Sequence, residues 1–333
     1  MPFSDILGQD AAVGTLRRAL ATGRIHHAYR FEGPPGVGKE MAAFALAQAL
    51  VCTEAPPPGH AFGTGCGACS ACKRAVTFSA NPAVPLHPDV IVVERGLYPR
   101  EIIGKNEVQS LSIEQIRRVV MERTSLPPHE GRARVFLLRR PEEMSVEAAN
   151  ALLKTLEEPL SRTYFILLTD RGSELLDTIR SRTQLVRFAP LSEAILERIL
   201  VQRGVAQDEA KAAAELAAGS ASLALALANP EASKGRKAFV DAVLAAVKAK
   251  DMVPAMELAE ARERDKGELS ERLAALAATF ARLAREKAAE NPDEAARHAE
   301  RYALVLQAMR EIDRNASPAL VLEAMVARLR RVA

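Results

Sequence analysis

Tryptophan is absent from this sequence, and aromatic residues of all kinds make up only 4% of it. Alanine is abundant in their place, a bias that favours helices. Nowhere do eighteen consecutive apolar residues occur, which excludes an ordinary membrane-spanning helix. The opening MPFSDILGQD sets no apolar run behind a basic start, so no secretory signal is expected and the chain reads as cytoplasmic. A strong excess of one charge is missing too. The formal net charge is +3, far from that of a protein held to nucleic acid by charge alone, so any such contact must be local or shared with other chains. Internal repeats and long low-complexity tracts are also lacking, and PPPG at 56–59 reads as a loop. What is present, 48% hydrophobic and 26% charged residues over 333 positions, suits a globular chain of two or three domains.

Cysteine is scarce as well, and its placement is informative. All four (Cys52, Cys66, Cys69 and Cys72) fall within twenty-one residues, a cluster that in a cytosolic chain points to metal ligation before disulfides. Cys66-x2-Cys69-x2-Cys72, with Cys52 upstream across thirteen intervening residues, offers four thiolates to one tetrahedral Zn²⁺. Gly65 and Gly67 permit the tight turns that such spacing needs. With no position left for water the site would be structural; an iron–sulfur cluster is the rival reading of the same donors. The six histidines show no metal-like spacing, and His26-His27 before a strand reads as packing.

Up to about Pro190, short β-rich runs alternate with helical patterns. The runs are AYRFEG (28–33), DVIVVE (89–94), RVFLL (134–138) and YFILLT (164–169), with a weaker QLVRF (184–188). Between them lie the helix-like EMAAFALAQAL, IEQIRRVVMER and EEMSVEAANALLKTLEE. Strands alternating with helices predict an α/β domain with a mainly parallel sheet. From Leu191 to about Asn229 the pattern is helical, with Gly204 and Gly219 as stops. Beyond Asn229-Pro230 an Ala/Leu/Arg/Glu-rich helical block follows, in which Asn291-Pro292 and Ser317-Pro318 mark helix starts.

GPPGVGK at 33–39 has the form of a phosphate-binding loop, set between a strand and a helix as such loops require. Gly33, Gly36 and Gly38 would let backbone N–H groups turn inward around phosphate, with Lys39 reaching it. The hydroxyl residue that should follow Lys39 to ligate Mg²⁺ is replaced by Glu40. The strand RVFLL, which should end in acids beside that metal, ends in Arg139 and Arg140, two cations that repel a metal and cannot act as base. A second reading shifts the acids to Glu142 and Glu143, beyond Pro141 and past the strand end. Opposite charges at Glu40 and Arg139 or Arg140 predict a salt bridge where the metal would sit. Two states of the loop stay open: empty, or holding a nucleotide passively without hydrolysis.

ILGQDAAVGTLRRALATGRIHHAYRFEGPPGVGK (6–39) resembles the opening of bacterial clamp-loader subunits, members of the AAA+ superfamily. HPD (87–89), SIEQIRR (112–118), NALLKTLEEP (150–159), TIRSRT (178–183) and NASPALVLE (315–323) continue the likeness in order, nearer the delta-prime branch than the gamma/tau motor branch. The resemblance implies an AAA+ P-loop module over 1–190, a parallel sheet with helices on both faces and a zinc insertion at about 52–72. A helical lid over 191–230 and a helical collar over 231–333 would follow it. It implies a polar sensor at Thr169, and a Ser-Arg-Cys motif that appears here as Ser181, Arg182 and Thr183. Arg182 would be an arginine finger acting in trans on a neighbour's ATP. Ser222 stands where motor subunits carry a further arginine. The implied partners are gamma/tau and delta subunits, the sliding clamp indirectly, and primed DNA through the assembled complex. Its rivals are an active motor ATPase and a zinc-stapled adaptor that only shares the fold.

Overall fold

The computed structural model describes residues 2–54, 63–103, 110–124, 126–130, 132–159, 162–248, 266–313 and 316–332. The PPPG loop at 56–59, residues 249–265 of the last helical block and Asn315 of NASPALVLE lie outside them. Contacts divide the chain into two compact units, Met1–Pro190 and Leu191–Ala333.

In the first unit each β-rich run becomes a strand: β1 Ala28–Glu32, β2 Val90–Val93, β3 Arg134–Arg139, β4 Thr163–Thr169 and β5 Gln184–Arg187. They form one parallel sheet in the order β2-β3-β4-β1-β5. A parallel sheet is covered on both faces, so its inner strands are apolar throughout rather than alternating. Val135 and Leu137 pack on one face with Leu46 and Ile166, while Phe136 and Leu138 pack on the other with Leu152 and Leu156. Phe136 stacks on Phe165 across that second face, ring centroids 5.1 Å apart. β5 gave the weakest sequence signal because Val186 alone of its residues is buried, with Gln184 and Arg187 exposed.

Helix α1 (Asp10–Thr22) stops at Gly23 in the left-handed conformation. Helix α2 (Lys39–Val51) starts from the phosphate loop, and every residue from Ala42 to Val51 is buried. A helix apolar all round belongs inside a core, which is where the run EMAAFALAQAL goes. Helix α3 (Ser70–Ala75) carries the last cysteine. IEQIRRVVMER is helical as expected, with a wider π winding over Ile116–Met121. Helix α4 (Val146–Glu157) begins later than EEMSVEAANALLKTLEE predicts. Pro141–Glu143 forms a separate 3₁₀ turn, and extended Ser145 caps α4 by accepting the Ala148 N–H at 3.2 Å. Helix α5 (Asp177–Arg180) precedes the edge strand.

The second unit is helical among its described residues: α6 Glu193–Gln202, α7 Gln207–Leu216, α8 Ala221–Ala228, α9 Pro230–Lys248, α10 Lys266–Lys287, α11 Pro292–Asp313 and α12 Pro318–Arg331. Gly204 and Gly219 have left-handed φ at the ends of α6 and α7, and Pro292 and Pro318 open their helices. Two buried clusters organise it, one around Leu196, Leu200 and Ala214, the other around Phe280, Val305 and Leu329.

The HPD segment has a structural task. The Asp89 carboxylate, 1% exposed, accepts the backbone N–H of His129 (2.7 Å) and of Glu130 (2.8 Å) and pairs with Arg134 Nη2 (3.1 Å). Arg134 is buried too and also donates to the carbonyls of Leu126 and Pro127. Removing one partner of a buried pair strands the other. Asp89→Ala should therefore destabilise the first unit by about 3–5 kcal/mol, measured by denaturant unfolding.

Candidate nucleotide and metal sites

The loop between β1 and α2 takes its path from its glycines. Gly36 and Gly38 have φ of 73° and 99°, the left-handed region that glycine enters at little cost. At Gly33 a Cβ would come within 2.2 Å of the Phe188 carbonyl oxygen, so a side chain has no room. Lys39 does not project outward. Its Nζ donates to the carbonyls of Gly33 (2.5 Å) and Pro34 (2.6 Å). Burial lowers its pKa, opposed by the charges of Asp170 and Glu142. Thr169 ends β4 beside the loop, its carbonyl accepting the Gly33 N–H at 3.3 Å and its hydroxyl accepting the Arg171 N–H at 3.0 Å.

The expected salt bridge is present. Arg139 Nη2 pairs with Glu40, which is half-exposed on the first turn of α2. A second acid that the sequence reading missed does more. Glu94, just past β2, accepts from Arg139 Nη1 at 2.8 Å and from Arg140 Nη2 at 2.7 Å. Because β2 and β3 are parallel neighbours with Val93 opposite Leu138, Glu94 and Arg139 lie side by side. DVIVVE already contained the acid; what the sequence did not display was the strand order. Burial alone would raise the Glu94 carboxyl, but the hydrogen bonds from Arg139 and Arg140 overcome it and hold the pKa below the usual range.

The two downstream acids part company. Glu143 pairs with Arg95 (2.8 Å) and Arg140 (3.2 Å). Glu142 turns inward, its side chain 1% exposed, with Arg171 Nε 3.6 Å away and the charge of Lys39 within range.

Arg182 lies just beyond α5, far along the chain from the loop. Its guanidinium pairs with Glu157 at the end of α4 (Nε to Oε1 2.8 Å) and donates to the Thr178 carbonyl at 2.9 Å and Ser181 Oγ at 3.3 Å. About a third of it remains exposed. Ser181 Oγ donates to the Thr178 carbonyl, and Thr183 Oγ1 to that of Ile179. In the second unit Ser222 is exposed, its hydroxyl 3.1 Å from that of Ser220.

The four cysteines converge at the far end of α2 from the loop, a helix length of about 20 Å away. Their four Sγ atoms all lie within 4.8 Å of one another, with Cys52–Cys69 and Cys66–Cys72 at 4.0 Å. That is too far for a disulfide. It is close to the roughly 3.8 Å edge of a tetrahedron built on Zn–S bonds of about 2.3 Å. Gly65 and Gly67 adopt left-handed φ of 80° and 68° around Cys66. Backbone N–H groups of Cys69 and Cys72 point at the sulfurs of Cys66 (3.2 Å) and Cys69 (3.4 Å). Burial alone would raise the Cys69 thiol, but the backbone N–H groups of Cys72 and Thr53 bring it down to about 6, a thiolate near neutral pH. Gln48 of α2 donates to the Cys72 carbonyl at 2.8 Å and fastens the module to the core. These residues fit a metal ion. His26 and His27 stack on each other, and His27 Nε2 meets the Leu156 carbonyl at 2.8 Å, in keeping with packing.

The family model described as DNA polymerase III, delta subunit, matches residues 8–192, more than half of the chain. The chain belongs to that family. Among its relatives, the DNA polymerase III subunit delta' of Escherichia coli is 34% identical over 230 residues, 69% of this chain and 62% of its own length. The gamma/tau subunit of Mycobacterium tuberculosis (strain ATCC 25618 / H37Rv) is 33% identical over 212 residues, 62% of this chain. The chain spans only about a third of that relative's length. A crystal structure of a gamma subunit-related protein from Thermotoga maritima superposes over 97% of this chain and 99% of its own, with a TM-score of 0.51 and 16% identity. The parallel sheet with its phosphate loop is thus the AAA+ fold that the sequence suggested, in a chain like the delta-prime and gamma/tau subunits.

In this chain the buried Glu142 makes stability depend on pH. Burial raises its pKa; its own backbone N–H and the Thr169 hydroxyl offset this in part, and Asp170 adds to it. The fold therefore favours the protonated carboxyl. The stability it gives is full below the ordinary glutamate range near pH 4.3 and is lost as pH rises through the higher folded value. Glu142→Gln keeps the shape and removes the ionisation. It should raise the melting temperature at pH 8 more than at pH 5, and equal shifts at both would show that Glu142 ionises freely.

Proposed function

We propose that this chain serves as a non-hydrolysing, delta-prime-type subunit of a clamp loader, a structural member that helps load a sliding clamp onto primed DNA. One observation carries the reading: Glu40 and Arg139 pair with each other where an active site of this fold needs a hydroxyl ligand and an acid around Mg²⁺. An exposed pair of this kind adds only about 0–1 kcal/mol. Its weight lies in occupancy, since it sets a cation where the metal would bind. The fold of Lys39 onto the loop's own carbonyls and the serine at position 222 support the same reading.

In this reading Arg182, oriented by Ser181, is the finger that completes a gamma/tau neighbour's ATP site, and the two helical clusters act as lid and collar in a ring with gamma/tau and delta subunits. An arginine supplied in trans contributes about 10³–10⁵ in rate, so a subunit without turnover of its own can gate the assembly. The cysteine module holds one structural Zn²⁺. Glu142 favours a second reading, a motor ATPase whose acid has moved three residues along, because it is buried within reach of Lys39's charge.

Incubation of the purified chain with ATP and Mg²⁺ separates the two. No turnover is expected, whereas Mg²⁺-dependent turnover lost in Glu142→Gln would establish the second reading. Arg182→Ala should leave the subunit folded and the ring assembled but cut ATP hydrolysis at the site it serves by about 10³ or more. Loss of assembly instead would make Arg182 a structural ion-pair partner of Glu157. Elemental analysis should find one zinc per chain, and Cys69→Ser should release it while the sheet stays folded; iron, or well under one metal, would refute the assignment.

A further inference from the structure

A cavity of about 490 Å³ opens within the second unit, between helices α7, α8, α9 and α10. Its size falls in the range of small-molecule sites. Leu216, Leu227, Val240 and Ala213 give it an apolar lining. Three cations stand around that lining, Arg236, Lys237 and Arg282, against one acid, Glu209.

Arg236 is the unusual member. It is only 5% exposed, yet its Nη1 has no hydrogen-bond partner among the described residues. The carboxylate of Glu271 stands 3.8 Å from it and is itself half-exposed. Its Nη2 reaches the Asn229 carbonyl at a long 3.4 Å. A guanidinium removed from water ordinarily has a carboxylate or carbonyls at full hydrogen-bond distance, because leaving a buried donor unmade is expensive. Lys237 next to it has no ion pair among the described residues, while Arg282 is engaged by Glu286 at 2.7 Å. Arg236 thus lines an apolar hollow with a buried donor that lacks an acceptor among the described residues.

We propose that this cavity binds a small amphiphilic anion, its acid group on Arg236 and Lys237 and its apolar body against Leu216, Leu227 and Val240. The inference stands apart from the reading of the nucleotide site, since it uses no residue of the first unit. The acid group is defined by its charge and its oxygens; a carboxylate or a phosphate monoester would satisfy the same donors.

The test uses the full chain and the dye 8-anilinonaphthalene-1-sulfonate, an anion on an apolar ring system. Saturable binding is expected, weakened tenfold or more in Arg236→Met, since a charge-assisted hydrogen bond of that kind is lost. Octanoate or octyl phosphate should displace the dye and octanol should not. Unchanged affinity in a folded Arg236→Met variant, or displacement by octanol as readily as by octanoate, would overturn the proposal. Should Arg236→Met fail to fold, as judged by its circular dichroism melt, Ala228→Phe decides. That substitution fills the cavity from a half-buried position; loss of dye binding is expected, and full retention would refute the site.

Discussion

One carboxylate holds two guanidiniums together at the carboxyl end of the sheet. Arg139 and Arg140 are consecutive and would repel each other; Glu94 accepts from both, one oxygen to each. With that anchor in place Arg140 adopts a left-handed backbone, φ 49°, that a non-glycine residue rarely takes. The chain then turns sharply through Pro141–Glu143, and Leu111 is fastened to the turn by its N–H on the Glu143 carbonyl and its carbonyl on the Ser145 N–H. The turn decides where the next two acids go, Glu142 inward and Glu143 back onto Arg140 and Arg95. The chemistry available beside the phosphate loop follows from that arrangement.

Much of this was legible in the residues because it rests on local rules. Inner strands of a parallel sheet are continuous apolar runs, and RVFLL and YFILLT could hardly be anything else. Pro292 and Pro318 announce helix starts, and three glycines before Lys39 announce a turn around phosphate. The cysteine spacing foretold the gathering of four sulfurs, since three of them sit on one short turn and helix. The Glu40–Arg139 pair was also readable, from charges alone at two positions known to converge in such folds.

What stayed hidden depends on partners distant in sequence. Glu94 joins Arg139 because β2 lies next to β3, and nothing inside DVIVVE declares its neighbour. Glu142 looks like any surface acid in a polar stretch; only the turn beginning at Arg140 buries it. Arg236 reads as one more charge on an Ala-rich helix, and it is buried where α8 and α10 pack against α9. Helix α4 begins late for a similar reason: helix-forming residues at 142–144 are overruled by the 3₁₀ turn and by the cap at Ser145.

The loop glycines have a bearing on how motifs of this kind persist. Gly33 has no room for a Cβ beneath the Phe188 carbonyl, and Gly36 and Gly38 sit where L-residues are strained, all for reasons of chain path. Packing would therefore preserve the signature in a lineage that never again met a nucleotide, much as a doorway keeps its shape after the door is gone. A search that weighs those glycines would score a working and a retired loop alike. The distinguishing information sits at positions without steric duties, such as Glu40 and Arg139, where a substitution is tolerated by the fold and decisive for the chemistry.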